Sequence, residues 1–412
     1  MIIAGGVSAA GGMAVLTGCR DRGRPAAAVP DVPVAVAVPD VLLAESRQGL
    51  VVLGGARPHG LGAAAASLDG GLVYAVTRDG AGGSILVRLN PEDGVPTGRT
   101  ALAGGWVPRV VSADGRSCAL TETPASARPA ARARTPLLVT AEGRQQRYDL
   151  GGVVEPDAFT QDGAGLFVLE WLPPQAPDRY RVRLLDLASG AVQPLLTRRK
   201  VPVPAGAEEE MRGDGRQAVL STDRNVLYTL YTHQPDHQHT RDLIAGRPGS
   251  GVHAFVHVLH LLECWAYCLD LPHPFGEGPA EGHAVAVSAG GQLLAVVDVT
   301  SGSLAYADTK TLTIERVVSV PAADGVASLV LAPDGRRVFV GAGTTVTVLD
   351  RNTDTVTARW PVPGTIRGLG LSRGGARLYA GGDDEVVWLD AGSGTPLGRV
   401  AVDGLTALRH VR

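Results

Sequence analysis

Lysine is almost missing from this chain: it stands only at Lys200 and Lys310, so arginine supplies nearly all of the 38 basic residues. With abundant Ala, Gly, Val and Pro, that bias is the one a high-GC genome produces, as in an actinobacterium. The formal net charge is −3 and no basic cluster lies on a periodic segment, so a nucleic-acid partner has no electrostatic support. Apolar residues recurring every 3.6 positions are nearly absent, which argues against a helical domain. Also missing are a Gly-x-Ser-x-Gly elbow, a glycine-rich phosphate loop and a His-Glu-x-x-His helix, and with them the commonest hydrolase, nucleotide and zinc-peptidase signatures. Charged residues make up only 19% and hydrophobic residues 45% of 412 positions, enough to bury a large core and to exclude disorder for most of the chain.

Cysteine is scarce as well, at four positions. Cys264 and Cys268 sit in Cys264-Trp265-Ala266-Tyr267-Cys268, which reads as a strand; their Cα atoms would then lie about 13 Å apart on one face. A disulfide needs roughly 4.4 to 6.8 Å, so the two are not bonded to each other. Cys118 reads as a buried free thiol on an inner strand. Trp265, Tyr267 and Phe255 read as core or inter-blade contacts.

The remaining cysteine has a different setting. Residues 2–18 are small and apolar with no charge before Arg20, too short for a spanning helix with proper flanks but suited to a signal h-region. The segment ends Leu16-Thr17-Gly18-Cys19, which resembles the bacterial lipobox. The resemblance implies removal of residues 1–18, diacylglycerol on Cys19, and anchorage to the outer face of the cytoplasmic membrane, where two or three acyl chains hold stably. The chain starts Met1-Ile2-Ile3 without the basic residues that usually open such a signal, and an upstream start would supply them. Residues 19–39 are Arg-rich and then Ala/Pro/Val-rich, with Pro25, Pro30, Pro33 and Pro39 breaking any periodicity, and read as a tether.

From residue 40 to 412 the chain repeats. A turn of the type Ser-x-Asp-Gly followed by an apolar strand recurs at Ser67, Ser112, Thr160 and Ala332, with degenerate copies at Ser221, Ser288 and Ser372. Asp bonds its own backbone two residues on and Gly accepts positive φ, so each turn reverses the chain in few residues. A second turn follows each strand pair, as at Leu89-Asn90-Pro91, Leu185-Asp186, Leu349-Asp350 and Leu389-Asp390, giving four short strands per unit of roughly 40 to 48 residues. That period is the blade of a β-propeller, and small residues such as Ala63 to Ala66 suit the crowded inner strands. The C-terminal run Leu405 to Val411 looks like a first strand without its blade, and Val41 to Leu53 like later strands without a first. Together they predict an all-β ring of seven or eight four-stranded blades, closed by pairing of the N- and C-terminal strands.

The segments Ala332-Pro333-Asp334-Gly335-Arg336-Arg337-Val338-Phe339-Val340 and Val348-Leu349-Asp350-Arg351-Asn352-Thr353 resemble the YVTN/lactonase-like propellers, a family of secreted or periplasmic rings. The likeness extends over nearly the whole mature chain. These motifs are turn chemistry, so the resemblance implies architecture; members include lactonases, yet no active site can be carried over onto this chain. The Trp-Asp and Gly-His signatures of WD40 blades are missing.

Eight of the ten histidines fall between His233 and His283, in an insert around 232–283 that breaks the blade rhythm. His237 and His239 in a loop, with His233 and Asp236 or Asp242 near, offer ligands for Zn²⁺ or another divalent ion, and His253 and His257 share one face of an expected strand from Val252 to Leu261. The alternative is a solvated rim whose histidines are satisfied by neighbouring blades. Zinc ligation by Cys264 is conceivable, and Glu208-Glu209-Glu210 reads most simply as a solvated loop. Two functions follow: a non-catalytic, membrane-anchored propeller whose face binds a protein, peptide or glycan, or a metal-dependent hydrolase or lactonase that uses the insert.

Overall fold

The computed structural model describes residues 37–55, 59–78, 82–126, 128–213, 216–235, 237–249 and 251–412. The signal segment, Cys19 and Asp236 lie outside the described residues. Among the described residues, no helix is long and apolar enough to cross a membrane.

The described strands form eight sheets arranged as the blades of one ring. Blade 1 runs Ala64–Ala66, Val73–Arg78, Ser84–Leu89 and Pro96–Leu102, and blade 2 runs Val107–Val111, Ser117–Thr121, Arg134–Ala141 and Arg144–Gly151. Blade 3 holds Val153–Phe159, Gly165–Leu172, Arg179–Asp186 and Val192–Pro194; blade 4 holds Gln217–Leu220, Val226–Tyr231, Phe255–His260 and Trp265–Asp270. Blade 4 gains a fifth strand, Leu196–Thr197, paired parallel to its outer edge. Blades 5, 6 and 7 start at His283, Ser328 and Gly368 and repeat the four-stranded antiparallel meander.

The turns that set the repeat behave as their residues dictate. In the first, Ser67 Oγ donates to Asp69 Oδ1 at 2.6 Å, and that carboxylate accepts the Gly71 N–H at 2.9 Å. Ser112/Asp114 and Thr160/Asp162 make the same 2.6 Å bond in blades 2 and 3. The fourth turn residue is left-handed throughout, with φ of 69° at Gly70 and 68° at Gly115. At blade 4 this position is Arg224, φ 61°, whose guanidinium reaches Asp69 and the Ala113 carbonyl in blades 1 and 2. Gly70 is required twice over, because a Cβ there would lie 2.8 Å from the His410 ring.

Seven such turns join first to second strands, and the eighth blade lacks one because the chain ends meet there. Its innermost strand is Leu405–Val411, followed outward by Val38–Ser46, Gly49–Gly55 and His59–Gly62. The register places Leu42 opposite Val411 and Ser46 opposite Leu405. The count is therefore eight, and closure by the two termini holds as expected. The first strand begins at Val38, two residues inside the segment assigned above to the tether. Cys118 is buried and free, on the second strand of blade 2 and not the innermost.

Between blades the core is apolar and tightly filled: Phe167, Tyr180, Phe255, Phe339 and Tyr379 are all at most 1% exposed. Each large side chain buried this way stabilises by about 1.5–3 kcal/mol relative to exposure. The closing blade adds a polar clamp. Arg377 of blade 7 grips Asp40 through Nε at 2.7 Å and Nη2 at 2.8 Å, and the Tyr379 hydroxyl donates to Asp40 at 2.7 Å. Burial would raise the Asp40 carboxyl, but those hydrogen bonds and the Arg377 charge outweigh it and hold it below the usual range.

Two outcomes are expected. A chain ending at Asp403 leaves the edge of Val38–Ser46 unpaired and elutes as aggregate on size exclusion where the full chain is a discrete species. Asp40→Ala lowers the urea unfolding free energy by about 1–3 kcal/mol. Because the folded pKa of Asp40 is depressed, the difference between wild type and variant is full at neutral pH and shrinks as pH falls through the acid range.

Candidate metal centre

The site forms where three segments of different origin meet at the rim between blades 3 and 4. The connection that leads from blade 3 to blade 4 supplies Glu209. The 232–254 loop between the second and third strands of blade 4 supplies His237 and His239, and the outer strand Trp265–Asp270 supplies Cys268. Their donor atoms all lie within 4.8 Å of one another.

Local packing fixes each ligand. His237 stacks on Phe255 with centroids 4.4 Å apart, and His239 stands edge-on to the same ring at 5.1 Å. Gly249 crosses the loop so closely that a Cβ would lie 2.5 Å from the His237 carbonyl oxygen, which explains a glycine there. His239 is the N-cap of the short helix Thr240–Ala245. The Thr240 N–H donates to Glu209 Oε1 at 2.8 Å, and this turns Oε2 toward the imidazoles.

The outer nitrogen of each ring is already engaged. His237 Nδ1 lies 3.2 Å from the Glu210 carbonyl, and His239 Nε2 lies 2.5 Å from Asp270 Oδ1, while Arg241 donates to the other oxygen, Oδ2, at 2.6 Å. Metal-ligating histidines make such second contacts, which set tautomer and ring angle. With both outer nitrogens donating, the inner ones carry lone pairs that face each other: His237 Nε2 and His239 Nδ1 are 3.2 Å apart, and Glu209 Oε2 is 3.5 and 3.6 Å from them. Three acceptors cannot converge in a buried place without a cation among them, either a proton or a metal. A tetrahedral ion with bonds of about 2.0–2.1 Å to nitrogen and oxygen has ligand–ligand edges of roughly 3.3–3.4 Å, the spacing seen here. Cys268 Sγ donates to Glu209 Oε2 at 2.9 Å, and as a thiolate it would supply the fourth corner around a bound ion.

The electrostatics follow the geometry. Burial would lower His239, but its hydrogen bonds to Asp270 and Glu209 and their charges outweigh that and hold it at about 9. Burial and then the Glu209 charge push the Cys268 thiol well up, so without metal the centre retains protons. Burial would raise Glu209, but its bonds to His237 and His239 keep it well below the carboxylate range.

Of the described residues that the sequence offered as ligands, His237 and His239 alone join the centre. His233 is held in a left-handed conformation, φ 56°, with Nδ1 on the Thr232 hydroxyl at 2.9 Å. Asp242 faces Arg247 at 3.0 Å. His253 is exposed and precedes the strand, which begins at Phe255 and not at Val252, so it shares no face with His257. His257 is buried edge-on to Tyr231, and burial pushes its pKa down to about 4; it stands outside the group of four whose donor atoms converge. Cys264 lies in the turn before the strand, φ 56°, away from the site. The reading of 208–210 as a solvated loop is overturned, because Glu208 pairs with Arg181 and Arg183, Glu210 pairs with Arg179, and Glu209 points inward. The missed signal was parity: three carboxylates in an extended segment alternate faces, and Cys268 and Asp270 two apart share one.

No family model matches the chain, and no curated protein is similar to it in sequence. Solved structures do resemble it. A dihydro-heme d1 dehydrogenase, NirN, in complex with DHE shares 15% identity over 93% of this chain and 77% of that one, TM-score 0.53. Apo AztD from Citrobacter koseri shares 11% over 90% and 97%, TM-score 0.53. A periplasmic gluconolactonase of Pseudomonas aeruginosa, PpgL, shares 18% over 82% and 98%, TM-score 0.43. At these identities the first two likenesses establish the fold alone.

Two measurements check the centre. Asp270→Ala is expected to weaken Zn²⁺ affinity about 10–100-fold in a competition titration, with circular dichroism unchanged. Since metal must displace one proton from His239, held up to about pH 9, and one from the Cys268 thiol, affinity should rise by about a hundredfold per unit between pH 7 and 8 and less steeply as pH 9 is reached.

Proposed function

We propose that this chain is an extracytoplasmic, lipid-anchored propeller that holds one zinc-type cation through Glu209, His237, His239 and Cys268, and that this centre is not catalytic. The observation that carries the reading is the convergence of the inner imidazole nitrogens on one carboxylate oxygen while both outer nitrogens are engaged elsewhere. Two nitrogens, an oxygen and a thiolate are a borderline donor set, which suits Zn²⁺ better than the hard ions Mg²⁺ or Ca²⁺.

Against a hydrolase stands the closure of the site. The protein supplies four ligands, the number found in structural zinc sites, whereas catalytic zinc keeps a position open for water or substrate. The ligating side chains of His237, His239 and Glu209 are 2%, 1% and 13% exposed, and Cys268 is buried at 1%. The alternative of a metal-dependent hydrolase or lactonase that uses the His-rich insert therefore has no support at this centre. The ring serves as scaffold for the metal, and the anchor at Cys19 keeps it at the membrane surface.

Elemental mass spectrometry of the purified chain is expected to find one equivalent of zinc, lost in the His237→Ala/His239→Ala double variant. No bound metal after incubation with Zn²⁺ would overturn the reading. For the anchor, Cys19→Ala is expected to move the protein from the detergent to the aqueous phase in Triton X-114 partitioning.

A further inference from the structure

We infer that the metal is the fastening of the seam between blades 3 and 4, so that its arrival and departure close and open the rim of the ring at this one place. The inference rests on the metal reading above and adds what the metal does there.

The ligands divide between the two blades. Residues 208–211 belong to blade 3: Met211 and Tyr180 exchange backbone hydrogen bonds at 2.9 and 2.8 Å, Glu208 pairs with Arg181 and Arg183 at 2.9 and 3.0 Å, and Glu210 pairs with Arg179 at 2.5 Å. This segment meets the Arg179–Asp186 strand at the single antiparallel bridge Tyr180–Met211, next to the stretch that Val192–Pro194 covers. In an extended chain the residue between Glu208 and Glu210 must point the other way, and Glu209 does so, across the seam. His237, His239 and Cys268 all belong to blade 4. Glu209 is thus the one ligand from the blade 3 side, and a cation shared by the four ties the two blades together.

The inner part of the same seam is held without the metal. The Arg216 guanidinium pairs with Asp157, and the Tyr180 hydroxyl donates to that of Tyr231 at 2.9 Å. Phe255, Met211, Trp171 and Leu259 fill the space around them. Loss of metal therefore leaves the ring folded and loosens only the rim, where the Thr240 N–H on Glu209, His237 Nδ1 on the Glu210 carbonyl and the Gln234 amide on the Arg212 backbone still cross the seam. Local opening of this kind costs less than global unfolding and is confined to contiguous segments.

Hydrogen–deuterium exchange of the full chain, chelated and then saturated with Zn²⁺, tests this. Amides of residues 205–213 and 237–249 are expected to exchange at least tenfold more slowly with metal, while blades 1, 6 and 7 do not change. Glu209→Gln separates fastening from binding. This variant should still take up zinc, more weakly, through the three blade 4 ligands, and regain protection in 237–249 but not in 205–213. Stoichiometric zinc with no change in either segment, or with protection restored to 205–213 in Glu209→Gln, would overturn the inference and leave metal binding standing. Failure of the wild type to bind zinc would overturn both.

Discussion

Every blade of this ring depends on its neighbours, because a four-stranded sheet of short strands can cover its apolar faces only by stacking on another sheet. Leu42, Leu43 and Ala44 are fully buried only because Leu405–Val411 pairs alongside them and blades 7 and 1 flank the resulting sheet. Residues from opposite ends of the sequence thus make one blade, and without that pairing the outermost sheets would present bare faces and edges to water. The Asp40, Arg377 and Tyr379 clamp reinforces the same junction from outside.

The seam between blades 3 and 4 meets that requirement differently. Most inter-blade space is filled with Leu, Val and aromatic side chains. Here a charged pair, a tyrosine pair and a set of imidazole, carboxylate and thiol groups share the space with the apolar cluster around Phe255. Buried polar groups of this density are stable only when each has a partner, and the inner faces of His237, His239 and Glu209 have one only if a cation lies among them. A proton held between the imidazoles meets that need as a zinc-type cation would, and the zinc reading and the fastening role both rest on the second of these.

Much of the architecture was legible because it rests on local chemistry. Ser-x-Asp-Gly turns are satisfied by hydrogen bonds within five residues, so their recurrence at Ser67, Ser112 and Thr160 marks strand reversals without knowledge of tertiary structure. Closure was legible from half-blades at each end. The site was only partly so. His237 and His239 stood out by density, but Glu209 lies 28 positions before His237 and Cys268 lies 29 positions after His239, in different segments, and convergence over such distances is a property of the ring. Density also misled: His233, His253 and His257 share the stretch, yet backbone conformation, the late start of the strand at Phe255 and packing against Tyr231 take them elsewhere.

The most direct test of the account is X-ray absorption at the zinc edge on the metal-loaded protein. Ligation by Glu209, His237, His239 and Cys268 gives a four-coordinate shell with one sulfur at about 2.3 Å and three nitrogen or oxygen neighbours at about 2.0–2.2 Å, two of them with the outer-shell scattering of imidazole. A six-coordinate shell of oxygen and nitrogen without sulfur would place the metal elsewhere and contradict it.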